Sequence, residues 1–353
     1  MTRLHALIVV ALAAELVPGL ARSDETKSAS PKEEQEAADS LEALGAHLKR
    51  DEGRVAEVDF ARASATAEHF KLLPVFGELT SVGIGKIPLT DDVISDLAAL
   101  PKLTSLRVSA KQGAERLSHL DRLQHVTRVA ITDPIALDDG LLGEIRFPAK
   151  LERLELLSAS KVTNAGLLHI AKLTELRRLD LGARKVTDAG LLQLRGFVHL
   201  RRLYLGGTSI KGSAFRDLPW KAQIEGLGGE FFSDENVECL DGFNMLGELN
   251  LGGSKITDKG LQRLPALPKL KSLDLQSTSV SDGGLAELAR FETLESIGLN
   301  NCKITDEGLK NLQRVKKLKR VEIGWTQATA AGVRGLQEAV PGVVVFQPTP
   351  PPK

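Results

Sequence analysis

The sequence is poor in aromatic residues and in cysteine, and it carries no excess charge of either sign. Phe, Trp and Tyr make up 4% of its 353 residues, with a single tyrosine, so the core has to come from Leu, Ile and Val. Such a core suits thin repeating layers better than one thick globule. Lys and Arg number 46, as do Asp and Glu. A net charge of zero gives no global field that would draw nucleic acid to the surface. The two cysteines, Cys239 and Cys302, are too few for a disulfide-built scaffold. The longest apolar run, Ala6 to Ala14, has nine residues and is too short to cross a bilayer. There is no GxSxG, no HExxH and no phosphate-binding loop. Seven histidines are scattered without metal-ligand spacing. The reading is therefore of a chain that is not an enzyme and has no metal or cofactor.

What the chain does have is one phrase written again and again. Residues 303–325 read KITDEGLKNLQRVKKLKRVEIGW, and 24 residues earlier the text is SVSDGGLAELARFETLESIGLNN. The first apolar anchor of the phrase recurs at Val55, Leu79, Leu103, Val126, Leu151, Leu176, Leu200, Ile224, Leu246, Leu270, Leu294 and Leu318. Spacings of 22 to 25 residues persist over nearly the whole chain, and VVVF at 343–346 falls where a further strand is due. A period of this length with L-x-x-L-x-L is the signature of a solenoid.

Each part of the phrase has a mechanical reading. Leu179 and Leu181 flank Asp180, and Leu273 and Leu275 flank Asp274, as on a short strand with one buried face. Thr187-Asp188, Thr257-Asp258, Ser281-Asp282 and Thr305-Asp306 read as helix starts. Leu191 and Leu194, or Leu309 and Leu312, then follow at helical spacing. One unit is thus a strand, a turn and a short helix, and it buries its apolar edges only by stacking on its neighbours.

The text VTDAGLLQLRGFVHLRRLYLGGT resembles the leucine-rich repeat proteins of planctomycete-type bacteria, and NCKITDEGL at 301–309 is similar to the cysteine-containing repeats of F-box substrate receptors. The resemblance implies an α/β leucine-rich repeat solenoid (a horseshoe) of 12–13 repeats of about 24 residues. A parallel sheet would line its concave face and short helices its convex face. Departures are expected at 109–125, at IKGSAF (210–215) and in the unit from 224 to 245, which is two residues short; the strand anchors persist through all three.

The ends read differently. Arg3, the apolar run and Gly19-Leu20-Ala21 have the plan of a secretory signal peptide over 1–21, which predicts export to the periplasm or beyond. Residues 22–53 hold a polar segment and a capping helix over 31–50, opened by Ser30-Pro31-Lys32-Glu33 and carrying Ala37, Leu41, Leu44 and Leu48 on one face. The repeat domain covers 54–347, and 348–353 (PTPPPK) form a Pro-rich tail.

Little chemistry is left over. Cys302 occupies the place of Thr208, Ser254, Thr278 and Thr326 in other units, a structural position, and its distance from Cys239 in the stack predicts two free thiols. Two residues after the anchors, four consecutive units place Arg128, Arg153, Arg178 and Arg202 on the solvent side of the sheet. Stacked like charges repel unless they are answered. Glu155 and Asp180 on the neighbouring row are one answer; an acidic protein or peptide partner is the other, with Tyr204 and Trp325 as aromatic anchors. The expected function is an exported, non-enzymatic binding or scaffolding protein with no nucleic-acid partner and no membrane span in the mature chain. The alternatives are a ubiquitin-ligase-type substrate adaptor, by the F-box resemblance, or a binder of cell-wall polysaccharide.

Overall fold

A computed structural model describes residues 29–133 and 136–347. The expected signal peptide and the Pro-rich tail lie outside these residues. The chain divides into two compact units that meet in sequence at Glu155 and Leu156.

The first unit opens with a helix, Pro31–Ala43, whose N-cap is the expected capping box: Ser30 Oγ accepts from the Glu33 amide at 3.3 Å, and the Glu33 carboxylate accepts from the Ser30 amide at 2.7 Å. Ala37, Ala38 and Leu41 face inward. The helix is shorter than the 31–50 expected from the sequence. Gly45, with φ of 86°, takes the left-handed conformation that ends helices. The chain then enters β1 (His47–Asp51), which pairs antiparallel with β2 (Arg54–Asp59) and sets Leu48 opposite Val58. The cap is thus a helix and a hairpin rather than one long helix, and its outer strand breaks the otherwise parallel pattern. Glu34, almost fully buried, completes it by accepting from the Val55 amide at 3.0 Å and from Arg54 at 2.6 Å. From β2 onward the pairing is parallel and advances one repeat at a time through β3 (Ser81–Gly83), β4 (Ser105–Ser109), β5 (Arg128–Thr132) and β6 (Arg153–Leu156).

The second unit continues in the same manner with β7 (Arg178–Leu181), β8 (Arg202–Tyr204), β9 (Gly226–Gly228), β10 (Glu248–Asn250), β11 (Ser272–Asp274), β12 (Ser296–Gly298), β13 (Arg320–Glu322) and β14 (Val344–Phe346). Consecutive strands from β7 to β14 are parallel and in register at equivalent repeat positions, so that Leu203, Leu227, Leu249, Leu273, Ile297 and Val321 stack as one buried row. All twelve apolar anchors named above are at most 3% exposed. Each such Leu contributes on the order of 1.5–3 kcal/mol by leaving water. Both units are leucine-rich repeat stacks: parallel strands on one side, short α or 3₁₀ helices on the other.

The Thr-Asp pair does more than cap its own helix. Thr257 and Thr305 do accept from the amides of Lys259 and Glu307, both at 3.2 Å. The aspartate, however, reaches the next repeat. Asp258 accepts from the Ser281 amide at 2.8 Å and from its hydroxyl at 2.6 Å. Asp282 does the same to Thr305, Asp306 to Thr329 and Asp234 to Thr257, each 23 residues on. Asn164 serves the same role toward Thr187, accepting from its amide and donating to its hydroxyl, both at 3.0 Å. The glycine of T-D-x-G-L now has its reason. A Cβ at Gly190, Gly260, Gly284, Gly308 or Gly332 would collide with the Oδ1 of the clamping side chain from the repeat before. Where the phrase lapses, the clamp adapts: Asp188 accepts from the backbone amides of Lys211 and Ala214, at 2.7 and 2.9 Å.

A pH dependence follows for the last clamp. The Thr329 amide, then its hydroxyl, hold the Asp306 carboxyl below the usual carboxylate range. A carboxyl with a lowered folded-state pKa contributes stability that is complete above its unfolded value and disappears as pH falls through the folded one. Protection of the Thr329 amide against exchange, taken relative to its intrinsic rate at each pH, should therefore fall as pH drops below about 4, ahead of amides in the Asn164 clamp, which cannot titrate. Asp306→Asn should abolish that acid step while leaving the protein folded; persistence of the step in the variant would assign it to another group.

Candidate functional site

The strands present two solvent-facing rows, at the second and fourth positions after each anchor, and the pairing register confirms these alignments within each unit. In the first unit Arg128 and Arg153 are paired neighbours on β5 and β6. Both engage Glu155, at 2.7 and 2.8 Å. In the second unit Arg178 and Arg202 are neighbours on β7 and β8. Arg178 bonds Asp180 at 2.9 Å and lies over the Tyr204 ring, 4.7 Å from its centroid. Arg202 reaches Glu248 at 3.2 Å. The carboxylates thus answer the arginines inside the sheet. Glu248 is the partner that sequence reasoning missed, because it lies two strands from Arg202, beyond β9.

Beta strand β9 explains that reach. Its outward positions are Gly226 and Gly228, both buried beneath neighbouring side chains. A Cβ at Gly226 would lie 3.1 Å from the Tyr204 hydroxyl, and one at Gly228 3.0 Å from the Tyr204 ring. With no side chains in the way, Tyr204 lies across β9 and donates its hydroxyl to Glu248 at 3.3 Å. Burial, then the Glu248 charge, push the Tyr204 hydroxyl above its ordinary pKa, so it stays a neutral donor.

Beside Tyr204 the bare backbone leaves a pocket of about 390 Å³. Gly206, Gly228, Gly252 and Gly253 belong to its lining; Asn250, Asp274, Gln276 and Glu230 supply its polar groups, and the exposed Leu157 its apolar one. Burial raises the Asp274 carboxyl above its ordinary value, against the Gln276 amide that bonds it at 2.9 Å. The pocket can seat a small side chain or sugar, with an aromatic edge and several hydrogen-bonding groups.

Trp325 is not on these rows. It lies in the turn after β13, 62% exposed, with φ of 56°. Ser277 and Asn301 hold the same left-handed place in the two preceding repeats. Polar residues and glycine suit that conformation; a Trp there is uncommon.

The two cysteines are free and buried, as expected. Cys302 Sγ donates to the Leu275 carbonyl at 3.0 Å, the acceptor that Thr278 also uses at 2.7 Å. Burial raises the Cys239 thiol to about 12. Since the thiolate is the nucleophile, Cys239 should resist alkylation at pH 8 in the folded protein and react once denaturant is added. Rapid labelling of Cys239 in the native state would contradict its burial. Among the described residues, no group of three His, Cys, Asp or Glu side chains could hold a metal ion, and no helix is long and apolar enough to cross a membrane.

The comparisons agree with the fold. A leucine-rich repeat family profile matches residues 244–264, 266–289 and 292–312, three successive repeats. A search of curated proteins gives no significant match. Among solved structures, a chain of the mouse RP105/MD-1 complex aligns with a TM-score of 0.50 and 16% identity over 80% of this chain, which spans 53% of that one. An internalin (inlF) from Listeria monocytogenes aligns over 87% of this chain and 88% of its own, with 15% identity and a TM-score of 0.46.

Proposed function

We propose that this protein is an exported, non-enzymatic scaffold that binds a protein partner on the open sheet face of its leucine-rich repeats, with Tyr204 as the anchor. The observation that carries this reading is the glycine strand β9. Glycine weakens a strand and gives it nothing to pack. Two glycines at its outward positions let a half-buried Tyr204 lie flat beside an open pocket. Such a combination, an aromatic held by hydrogen bonding next to a concavity, is what interface hot spots use. Arg178 and Arg202 flank the ring and keep part of their guanidinium groups exposed, so a carboxylate on the partner can compete for or bridge them. Trp325, exposed in the turn after β13, is a secondary contact proposed within the same unit; on the first unit, taken by itself, the part-exposed Arg128 and Arg153 are proposed to offer positive charge to an acidic partner. The similar chain of the mouse RP105/MD-1 structure belongs to a complex of two proteins, which supports a protein partner by analogy.

Export rests on the apolar run Ala6–Ala14 followed by Gly19-Leu20-Ala21, and a signal peptide speaks against an F-box-type adaptor. N-terminal sequencing of the mature chain decides it: loss of about 20 residues supports export, and an intact terminus counts against it. The pocket's amides and carboxylates beside an aromatic ring favour one second reading, a cell-wall polysaccharide as ligand.

The test is capture of partners from the envelope fraction of the source cell by wild type, Tyr204→Ala and Gly228→Val, with circular dichroism to confirm folding. A partner retained by wild type and lost by both variants supports the site. Equal capture by all three overturns it. Release of the captured material by glycosidase rather than protease would shift the reading to polysaccharide.

A further inference from the structure

The first unit carries a second pocket, of about 470 Å³, that differs in kind from the one beside Tyr204. It lies where the parallel strands β2 to β5 run out into their turns. Five cationic side chains line it, against two carboxylates. Both carboxylates are already spent. Asp59 holds Arg107 at 2.6 Å and accepts from the Ala61 amide at 2.8 Å. Asp133 accepts from the Ser109 hydroxyl at 2.6 Å and from Lys111 at 3.0 Å. The remaining cations, Arg62, Lys86 and Arg116, have no carboxylate within ion-pair distance among the described residues, and all three are exposed at the rim.

This distribution has a cost and a use. Cations gathered round one concavity repel one another, and a surplus of this kind is stabilised by a bound anion. Arg107 is fixed in place by Asp59 and, at 3.5 Å, by Glu57, so one guanidinium is oriented before any ligand arrives. The lining includes no aromatic residue, so neither a nucleobase nor a sugar ring would find a stacking surface there. The volume falls in the range of small-ligand pockets and exceeds the needs of one phosphate ion. We infer that this pocket binds a compact polyanion, a molecule carrying two or more phosphate or carboxylate groups, through Arg62, Lys86 and Arg116. The site is independent of the partner surface proposed above.

Calorimetric titration of the full chain at low salt, with tripolyphosphate and with citrate as probes, tests this. Saturable binding of either probe is expected, weakened about tenfold or more in Arg62→Ala/Arg116→Ala. It should weaken steeply as salt is raised. Arg263→Ala, a cation on the helical side of the other unit that pairs with Glu238, is the control and should bind as wild type. Preference for tripolyphosphate identifies phosphate as the ligand chemistry, and preference for citrate identifies carboxylate. The inference is overturned if neither probe binds saturably, or if the double variant binds as tightly as the control. The replaced side chains make no ion pair, so folding is expected to be unaffected; thermal melting of each variant checks this.

Discussion

Gly284→Ala should destabilise the protein by about 2–3 kcal/mol, although helix propensity alone favours the change by roughly 1 kcal/mol. The added methyl meets Oδ1 of Asp258 and comes within 3.1 Å of Leu261 Cδ1. Asp258 has no free direction in which to retreat, because its two oxygens are held by the amide and hydroxyl of Ser281. Displacing it forfeits two hydrogen bonds to a charged group, each worth about 1.5–3 kcal/mol when partly buried, less what water returns at a half-exposed site. The clash and the lost clamp together outweigh the propensity gain. The distinguishing result is the double variant. Once Asp258→Ala has removed the obstacle, Gly284→Ala should cost nothing further, and the two changes should be strongly non-additive. Urea denaturation of the four proteins measures it. Additive losses would mean that glycine is needed there for some reason other than the clamp.

Phe215→Ala should cost about 3–5 kcal/mol, the range for a large aromatic removed from a packed core. Phe215 is fully buried in the first of two successive irregular repeats, 5.9 Å from the Phe231 ring and 5.6 Å from that of Phe243, the latter edge-on. Phe232, also fully buried, extends the cluster through Phe231, whose ring centroid is 4.2 Å from its own. Four of the chain's 11 phenylalanines meet where the repeat phrase fails. Their bulk fills the space left where short 3₁₀ helices, Ser213–Asp217 and Pro219–Gln223 in one repeat and Val237–Leu240 in the next, stand in place of regular helices. The loss should appear as early unfolding around this unit, since layers in a repeat stack depend on nearest neighbours. A loss under 1 kcal/mol would show that the cluster is not a core.

The stack was legible because its signal is repeated. Twelve anchors at nearly constant spacing fix strand, face and register together, and even the lapsed units keep their strands. What stayed hidden depends on contacts between positions far apart in sequence. The Thr-Asp pair looks like a local cap, and only the stacked geometry shows the aspartate serving the next repeat. The arginine row was visible, and so were Glu155 and Asp180; Glu248 was not, because its access to Arg202 and Tyr204 depends on two missing side chains in β9. The N-terminal helix was read too long because Leu44 and Leu48 continue its apolar spacing, while Gly45 between them ends it. The basic pocket gave no sequence signal, since its cations are drawn from three successive repeats, Arg107 from strand β4 and the others from the segments that follow β2, β3 and β4.

The claim that the open sheet face around Tyr204 is the binding surface can be tested with a photo-crosslinking phenylalanine analogue placed at position 204. A control carries the same analogue at 310, on the exposed helix Asp306–Leu312. Both are irradiated in the envelope fraction of the source cell. The account predicts a discrete adduct from position 204 and none from position 310. Adducts from 310 alone would place recognition on the helical side and contradict it.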